Sequence, residues 1–366
     1  MTDTPTKLKP LNLALQGGGS HGAFTWGVLD ALLESGEFSF PGISGTSAGA
    51  MNAVALASGF ARAAQEYPDD PVARHAEGCA QARLRLRQLW EGVGALGFFT
   101  LGIPVASNPL MGWMSQFVSP YQANPLDINP LRNLLERVVD FAELHTAWEQ
   151  QATLVKNSGT LFFRRELAEG YMPQAFVCAT NVRTGKGEIF TGQHLSADAV
   201  MASACLPQIY KAVEIDGEYY WDGGFSSNPA LYPLIYNTRC ADMLLVQINP
   251  IEHNDLPNTA NDIMERTNEV TFNAGLLAEL RAIDFVRRLL AEGRLDASRY
   301  KNVLLHRLDG GAALSRFGAA SKSRVDLGFL QRLFTLGRRE GTEWLRAHCD
   351  DVGVRQTLQI VNNFDI

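Results

Sequence analysis

The sequence has few cysteines and no pattern among them. The five, Cys79, Cys178, Cys205, Cys240 and Cys349, are odd in number, widely spaced and without a CxxC pair. That excludes a disulfide scaffold and a cysteine-based zinc or redox motif, and leaves buried free thiols as the expectation. Long hydrophobic runs are missing too. No stretch of about 18 apolar residues escapes helix breakers, so no membrane-spanning helix is expected. Residues 1–10 hold Lys7 and Lys9 but no apolar core before Leu11. A conventional secretory signal is thereby excluded, and a flexible N-terminus on a cytoplasmic protein is expected, although specialised export would leave the same pattern. There is no GxxxxGK[ST] phosphate loop, no compact basic stripe with interleaved aromatics and no metal-ligand spacing. Nucleic-acid binding, metal ligation and cofactors are therefore not expected.

What is present is an ordinary folding composition: 366 residues, 46% hydrophobic, 9% aromatic and 19% charged. This length accommodates one large domain or two smaller ones, with a substantial core. The formal net charge is -7, yet residues 281–346 carry fourteen Lys/Arg against seven Asp/Glu. Such asymmetry suits an anionic surface such as lipid headgroups, or equally a set of solvated helix faces with local ion pairs. From Gly92 to Leu126 there is no charged residue or histidine, while Pro104, Pro109, Pro120 and Pro125 forbid one continuous helix. A lid or interfacial surface for acyl chains is one reading of that segment, and a buried covering layer is the other.

The apolar run Leu11 to Leu15 ends in Gln16 and Gly17-Gly18-Gly19, as a buried strand entering a glycine loop would. A helix follows over Ala23 to Leu33, stopped by Gly36. Gly42 to Gly45 reads as a strand end, with a small-residue helix from Ala50 to Ala57. Helices are expected over 73–91, over 130–139 behind the cap Asn129, over 195–205, over 259–292 and over 326–346. Strands are expected over 174–182, 188–191, 211–215, 242–249 and 302–306, with Asp216-Gly217 turning a hairpin into Tyr219-Tyr220-Trp221. Alternating strands and helices without repeat or linker indicate a single α/β domain covered by C-terminal helices.

Three short motifs carry chemistry. Gly45-Thr46-Ser47-Ala48-Gly49 fits GxSxG, in which Gly45 and Gly49 permit a sharp strand-to-helix turn that exposes the Ser47 hydroxyl as a nucleophile. A glycine-packed turn serine is the alternative. Gly17-Gly18-Gly19-Ser20-His21-Gly22 lies between a strand and a helix and offers successive backbone amides to an oxyanion. A phosphate loop, a dinucleotide loop or a plain tight turn are its rivals. Serine attack needs a base. His253, His306 and His348 follow Ser47 in the order an α/β-hydrolase requires, but too few strands precede the elbow for that fold, and none has a motif-like neighbourhood. Asp222-Gly223-Gly224 is the better partner. Preceded by Tyr219-Tyr220-Trp221, its carboxylate can be buried beside aromatic rings, which disfavours the charged form and makes it a stronger base.

In order and spacing these three motifs resemble the patatin-like phospholipase family, from about Leu11 to about Pro250. Ser203-Ala204-Cys205-Leu206-Pro207, Asn228-Pro229 and the 124–131 stretch are similar to bacterial members. The resemblance implies a three-layer α/β/α fold with a mostly parallel sheet, and a catalytic core over 11–250 on which 251–366 packs as a helical and strand extension. It implies calcium-independent hydrolysis of lipid acyl esters through a Ser47–Asp222 dyad without histidine. Gly17, Gly18, Gly19 and Ser20 would form the oxyanion loop, with Gly223 and Gly224 completing the base motif. The expected partner is a lipid or phospholipid substrate, with possible peripheral contact to a membrane. One position departs from the family: His21 stands where Arg or Lys is usual. A histidine-dependent esterase or thioesterase, and a noncatalytic lipid-binding protein of the same fold, are the competing readings.

Overall fold

The computed structural model describes residues 8–100, 129–157, 171–252, 256–317, 319–358 and 360. Most of the uncharged 92–126 segment, residues 124–128 of the 124–131 stretch, residues 1–7 and His253 lie outside the described residues. In chain order the strands are β1 (Lys9–Pro10), β2 (Asn12–Leu15), β3 (Phe38–Ser39), β4 (Gly42–Thr46), β5 (Gln174–Asn181), β6 (Gly187–Thr191), β7 (Val213–Ile215), β8 (Glu218–Asp222), β9 (Asp242–Gln247) and β10 (Leu304–Asp309). The helices are α1 (Gly22–Ser35), α2 (Ala48–Glu66), α3 (Pro71–Thr100), α4 (Pro130–Val138), α5 (Phe141–Asn157), α6 (Ala197–Ser203), α7 (Tyr232–Asn237), α8 (Ala260–Ala291), α9 (Gly311–Ser315) and α10 (Leu327–His348).

The main sheet has the order β10-β9-β2-β4-β5-β8-β7, with β6 also on β5. The strands from β10 to β5 pair in parallel, whereas β6, β7 and β8 pair antiparallel. Side chains that alternate along a strand serve opposite faces. Leu13, Leu15, Ile43, Val177, Leu244 and Val246 join the larger core, under α1, α2, α3 and α10. Their neighbours Ala14, Phe176, Met243 and Leu245 join a second core under α7 and α8. Both faces of the sheet are therefore covered, giving an α/β/α sandwich, as parallel strands require.

Local signals account for the element ends. Gly36 takes the left-handed φ of 65° that closes α1. Asn129 accepts from the Leu131 amide to start α4, Ser196 from Ala199 to start α6, and Asp326 from Phe329 to start α10. Asp216 and Gly217, at φ 52° and 80°, turn the β7–β8 hairpin. Differences are also plain. The helix expected over 50–57 runs from Ala48 to Glu66, and α5 and α7 were not foreseen. The apolar period Val270, Ala274, Leu277, Ile283, Val286 and Leu290 predicts one buried face for α8, but Val270 is 54% exposed and Glu269 and Asn273 face inward instead, because that turn meets polar loops rather than core.

The C-terminal α10 crosses α1 backbone to backbone. A Cβ at Gly27 would strike the Phe334 carbonyl, and one at Gly337 the Phe24 carbonyl, whereas at Gly341 the nearest atom would be the Ala31 Cβ at 3.1 Å. Overpacking of this kind costs about 1–3 kcal/mol. Gly27→Ala and Gly337→Ala should each lower the unfolding free energy by that much and Gly341→Ala by clearly less; equal free energies for all three in equilibrium urea unfolding would show that the helices do not meet this closely.

Candidate active site

Sheet register alone brings two of the motifs together. β6 fills one edge of β5 along 176–180, so β4, paired at 174–178, and β8, paired at 179–181, share the other edge. They approach from opposite directions. Thr46 ends opposite Cys178 and Asp222 ends opposite Ala179, so the two C-terminal strand ends abut. The chain after Thr46 must leave the sheet at once, and it does so through Ser47 at φ 54° and ψ −122°, a conformation uncommon for any residue but glycine. Such a turn costs on the order of 1–3 kcal/mol and persists only where its surroundings impose it. Those surroundings have no room for side chains: a Cβ at Gly45 would strike the Gly49 carbonyl, and one at Gly49 the Leu15 carbonyl. Ser47 then sits at the N-terminal end of α2, partly exposed, where the helix dipole favours negative charge.

The Ser47 side chain approaches the Asp222 carboxylate closely enough to favour its charged form. Asp222 is 1% exposed. Burial pushes its carboxyl up from 3.8 to about 7, against the opposing hydrogen bond from the Gly224 amide and the nearby Ser47 side chain. The Gly224 amide donates to Oδ1 at 2.8 Å. The Asp222 main chain is pinned on both sides, its amide donating to the Cys205 carbonyl at 2.8 Å and its carbonyl accepting from Thr180 Oγ1 at 2.8 Å. Gly223 lies against the Cys178 carbonyl, where a Cβ would not fit. Ser203 is the fastener between the strands: its hydroxyl accepts from the Ser47 amide at 2.9 Å and donates to the Cys178 carbonyl at 2.5 Å. The Ser47 amide is thereby occupied.

The glycine loop lies directly on the elbow, since a Cβ at Gly17 would meet the Thr46 carbonyl and the Ser47 Cβ. The Gly17 amide is taken by Asn228 Oδ1 at 2.6 Å. Among the described residues the Gly18 and Gly19 amides have no acceptor. Residues 319–323, from the C-terminal part of the chain, cover this loop. Ser20 Oγ donates to the Ser321 carbonyl at 2.8 Å, and His21 Nε2 lies 2.7 Å from Ser321 Oγ. Burial, with Lys322 nearby, holds His21 down at about 4, so its ring is neutral around pH 7. Lys322 itself pairs with the buried Glu269 at 2.9 Å, and Arg266 approaches the same carboxylate at 3.4 Å.

Of the three histidines that an α/β-hydrolase reading would use, the two within the described residues lie elsewhere. His306 is fully buried between Asp242, 3.0 Å from Nε2, and Thr357, 3.1 Å from Nδ1; Asp242 begins β9, at the end of the sheet opposite to the elbow. His348 pairs with Asp351 on the far end of α10. Among the described residues no three His, Cys, Asp or Glu side chains gather as a metal site requires. Ser203 and Asn228 lie in stretches the motifs brought to notice; Gln16, Asn249, Asn273 and Ser321 carried no signal in the sequence.

The sequence model of the family described as Patatin-like phospholipase matches residues 13–235, which include the elbow, the glycine loop and Asp222. No curated protein matches the chain. Among solved structures it is similar to VipD from Legionella pneumophila, at 16% identity and a TM-score of 0.40, over 94% of this chain and 68% of that one. With more than half of its length matched by the family model, the chain belongs to the patatin-like phospholipase family, whose activity is the hydrolysis of lipid acyl esters.

Proposed function

We propose that this chain cleaves lipid acyl esters through a Ser47–Asp222 dyad and an acyl-enzyme intermediate. The observation that carries the reading is the meeting of the Ser47 elbow and Asp222 at adjacent positions of β5, Cys178 and Ala179, with a carboxylate that burial has made basic enough to take a proton near neutral pH. Asp222 removes the proton as Ser47 Oγ attacks the acyl carbonyl, and the Gly18 and Gly19 amides, with the N-terminus of α2, receive the charge of the tetrahedral anion. Collapse expels the alcohol, which takes the proton back from Asp222. Water, deprotonated by the same carboxylate, then attacks the acyl-enzyme, and collapse releases the fatty acid as Asp222 returns that proton to Ser47 Oγ. Histidine has no part in these steps.

Ser47→Ala and Asp222→Asn should each lower kcat on a nitrophenyl acyl ester by about 10³-fold or more, with far-ultraviolet circular dichroism unchanged. Wild-type turnover in either variant would refute the dyad. Because Asp222 must be ionised to act, kcat/KM should fall as pH drops through about 7.

Asp222 also makes stability depend on pH. Its folded value, about 7, exceeds the ordinary 3.8. Between those values the folded chain keeps a proton that the unfolded chain has released, so stability declines as pH rises and the full penalty stands above about 7. Asp222→Asn removes that penalty. It should stabilise the protein at pH 8 by up to about 4 kcal/mol while abolishing activity, with the gain shrinking toward pH 5. Urea unfolding of both proteins at the two pH values checks this, and a variant less stable at pH 8 would contradict the buried, costly carboxylate.

The lipid substrate is met at a membrane surface in this reading, with the uncharged 92–126 segment as the contact. Among the described residues no helix is long and apolar enough to cross a membrane. Wild type should float with phospholipid vesicles and a Phe98→Asp, Phe99→Asp double variant should not; equal flotation of the two would remove the segment from that role.

A further inference from the structure

Four buried carboxamide side chains form one network around Gly17 of the glycine loop, two of them bonding it directly. Asn228 grips Gly17 on both sides, accepting from its amide at 2.6 Å and donating to its carbonyl at 3.2 Å. Asn249, just beyond β9, donates to the same carbonyl at 2.6 Å. Gln16, at the end of β2, joins the pieces: its Oε1 accepts from the Ile248 and Asn249 amides, both at 2.9 Å, while its Nε2 donates to the Asn228 carbonyl at 3.2 Å and to Asn273 Oδ1 at 3.0 Å. Asn273, on α8, donates onward to the Pro250 carbonyl at 3.1 Å. None of the four is more than 3% exposed.

Burying so many amide groups costs free energy unless each finds its partner, and apolar side chains would fill the same space at lower cost. What a satisfied polar network supplies is one defined geometry. Here the geometry relates two loops that meet at the elbow. Asn228 lies six residues after Asp222 on the same loop, and Thr46 Oγ1 donates to the carbonyl of its neighbour Ser227 at 2.8 Å, fixing that loop to the end of β4. A shift of the glycine loop relative to the base loop would break the Asn228 grip first.

We propose that Asn228 is a positioning residue for hydrolysis: by holding both polar groups of Gly17 it sets the glycine loop against the elbow, so that the Gly18 and Gly19 amides, and not that of Gly17, face the developing oxyanion. This rests on the Ser47–Asp222 reading. Asn249 shares the task through the Gly17 carbonyl alone, and Gln16 and Asn273 hold the two asparagines in place.

The test uses the full-length chain and its Asn228→Ala and Asn249→Ala variants, assayed well below each thermal midpoint. Kinetics on nitrophenyl butyrate from pH 5 to 9 are compared with inhibition by an alkyl trifluoromethyl ketone, which forms an oxyanion on Ser47, and by the matching fatty acid, which does not. Asn228→Ala should lower kcat by about 100-fold and Asn249→Ala by about 10-fold, KM changing less than about threefold. Ketone affinity should fall in step with kcat while fatty-acid affinity holds, and the acidic pH midpoint should stay near that of wild type because Asp222 is untouched. Equal weakening of ketone and fatty acid, unchanged kcat, or a displaced pH midpoint would each overturn the proposal. If Asn228→Ala does not fold, Asn249→Ala decides by the same criteria. A wild type that neither the ketone nor a fluorophosphonate engages at Ser47 would sink the nucleophile reading and this one with it; a wild type that reacts, beside variants that react equally, sinks only this one.

Discussion

Everything at the site follows from two strand ends meeting on one edge of β5. A parallel strand rising to Thr46 and an antiparallel strand descending to Asp222 cannot both continue, so each must leave the sheet where the other arrives. The first leaves through Ser47 and the second through Gly223-Gly224. The hydroxyl and the carboxylate face each other because the register leaves no residue between them. The Gly224 amide that caps Asp222 and the Ser203 hydroxyl that bridges Ser47 to Cys178 then hold the junction shut.

That junction is destabilising by itself. Ser47 holds an uncommon backbone conformation, and Asp222 is desolvated enough for its carboxyl to rise to about 7. The surrounding fold offsets both costs. Small residues along α2 let the helix lie close under the elbow, and the two cores on either face of the sheet bury nearly all side chains of the central strands β2, β4, β5 and β9. Part of that cover comes from beyond residue 250: α8 forms the second face, β10 extends the sheet beside β9, and α10 crosses α1 at glycine-to-backbone contact. The chain after the family match thus contributes to the same core and lays residues 319–323 over the glycine loop.

How much of this could be read from the sequence differs from residue to residue. Strand alternation, helix caps and the Asp216-Gly217 turn depend on neighbours within a few positions, and the elements they mark lie where the pattern puts them. The elbow glycines were legible for a related reason, since only glycine fits where a carbonyl stands at contact distance. Asp222 was legible as the acid in an aromatic, glycine-flanked setting, although a lone Asp-Gly-Gly is ordinarily a turn. The carboxamide cluster was not. Gln16, Asn228, Asn249 and Asn273 lie on four segments up to 257 residues apart, and their spacing has no period because tertiary folding alone brings them together. On α8 the same fact misled the hydrophobic period: where the helix meets these loops its inward face is Glu269 and Asn273, so Val270 turns to solvent.

His21 completes the electrostatics of the glycine loop by what it withholds. A lysine or arginine at this position brings a fixed charge, whereas a buried imidazole held down at about 4 brings none at neutral pH. Lys322 does not simply replace it, because its ammonium is paired with Glu269, which Arg266 also approaches. In the proposed mechanism, stabilisation of the oxyanion therefore falls on oriented backbone amides and the end of α2, dipoles whose effect depends steeply on distance and angle where a full charge would be forgiving. An arrangement built on dipoles has to be held rigidly, and the side-chain bonds to both backbone polar groups of Gly17, with the Ser321 contacts to Ser20 and His21, match that requirement.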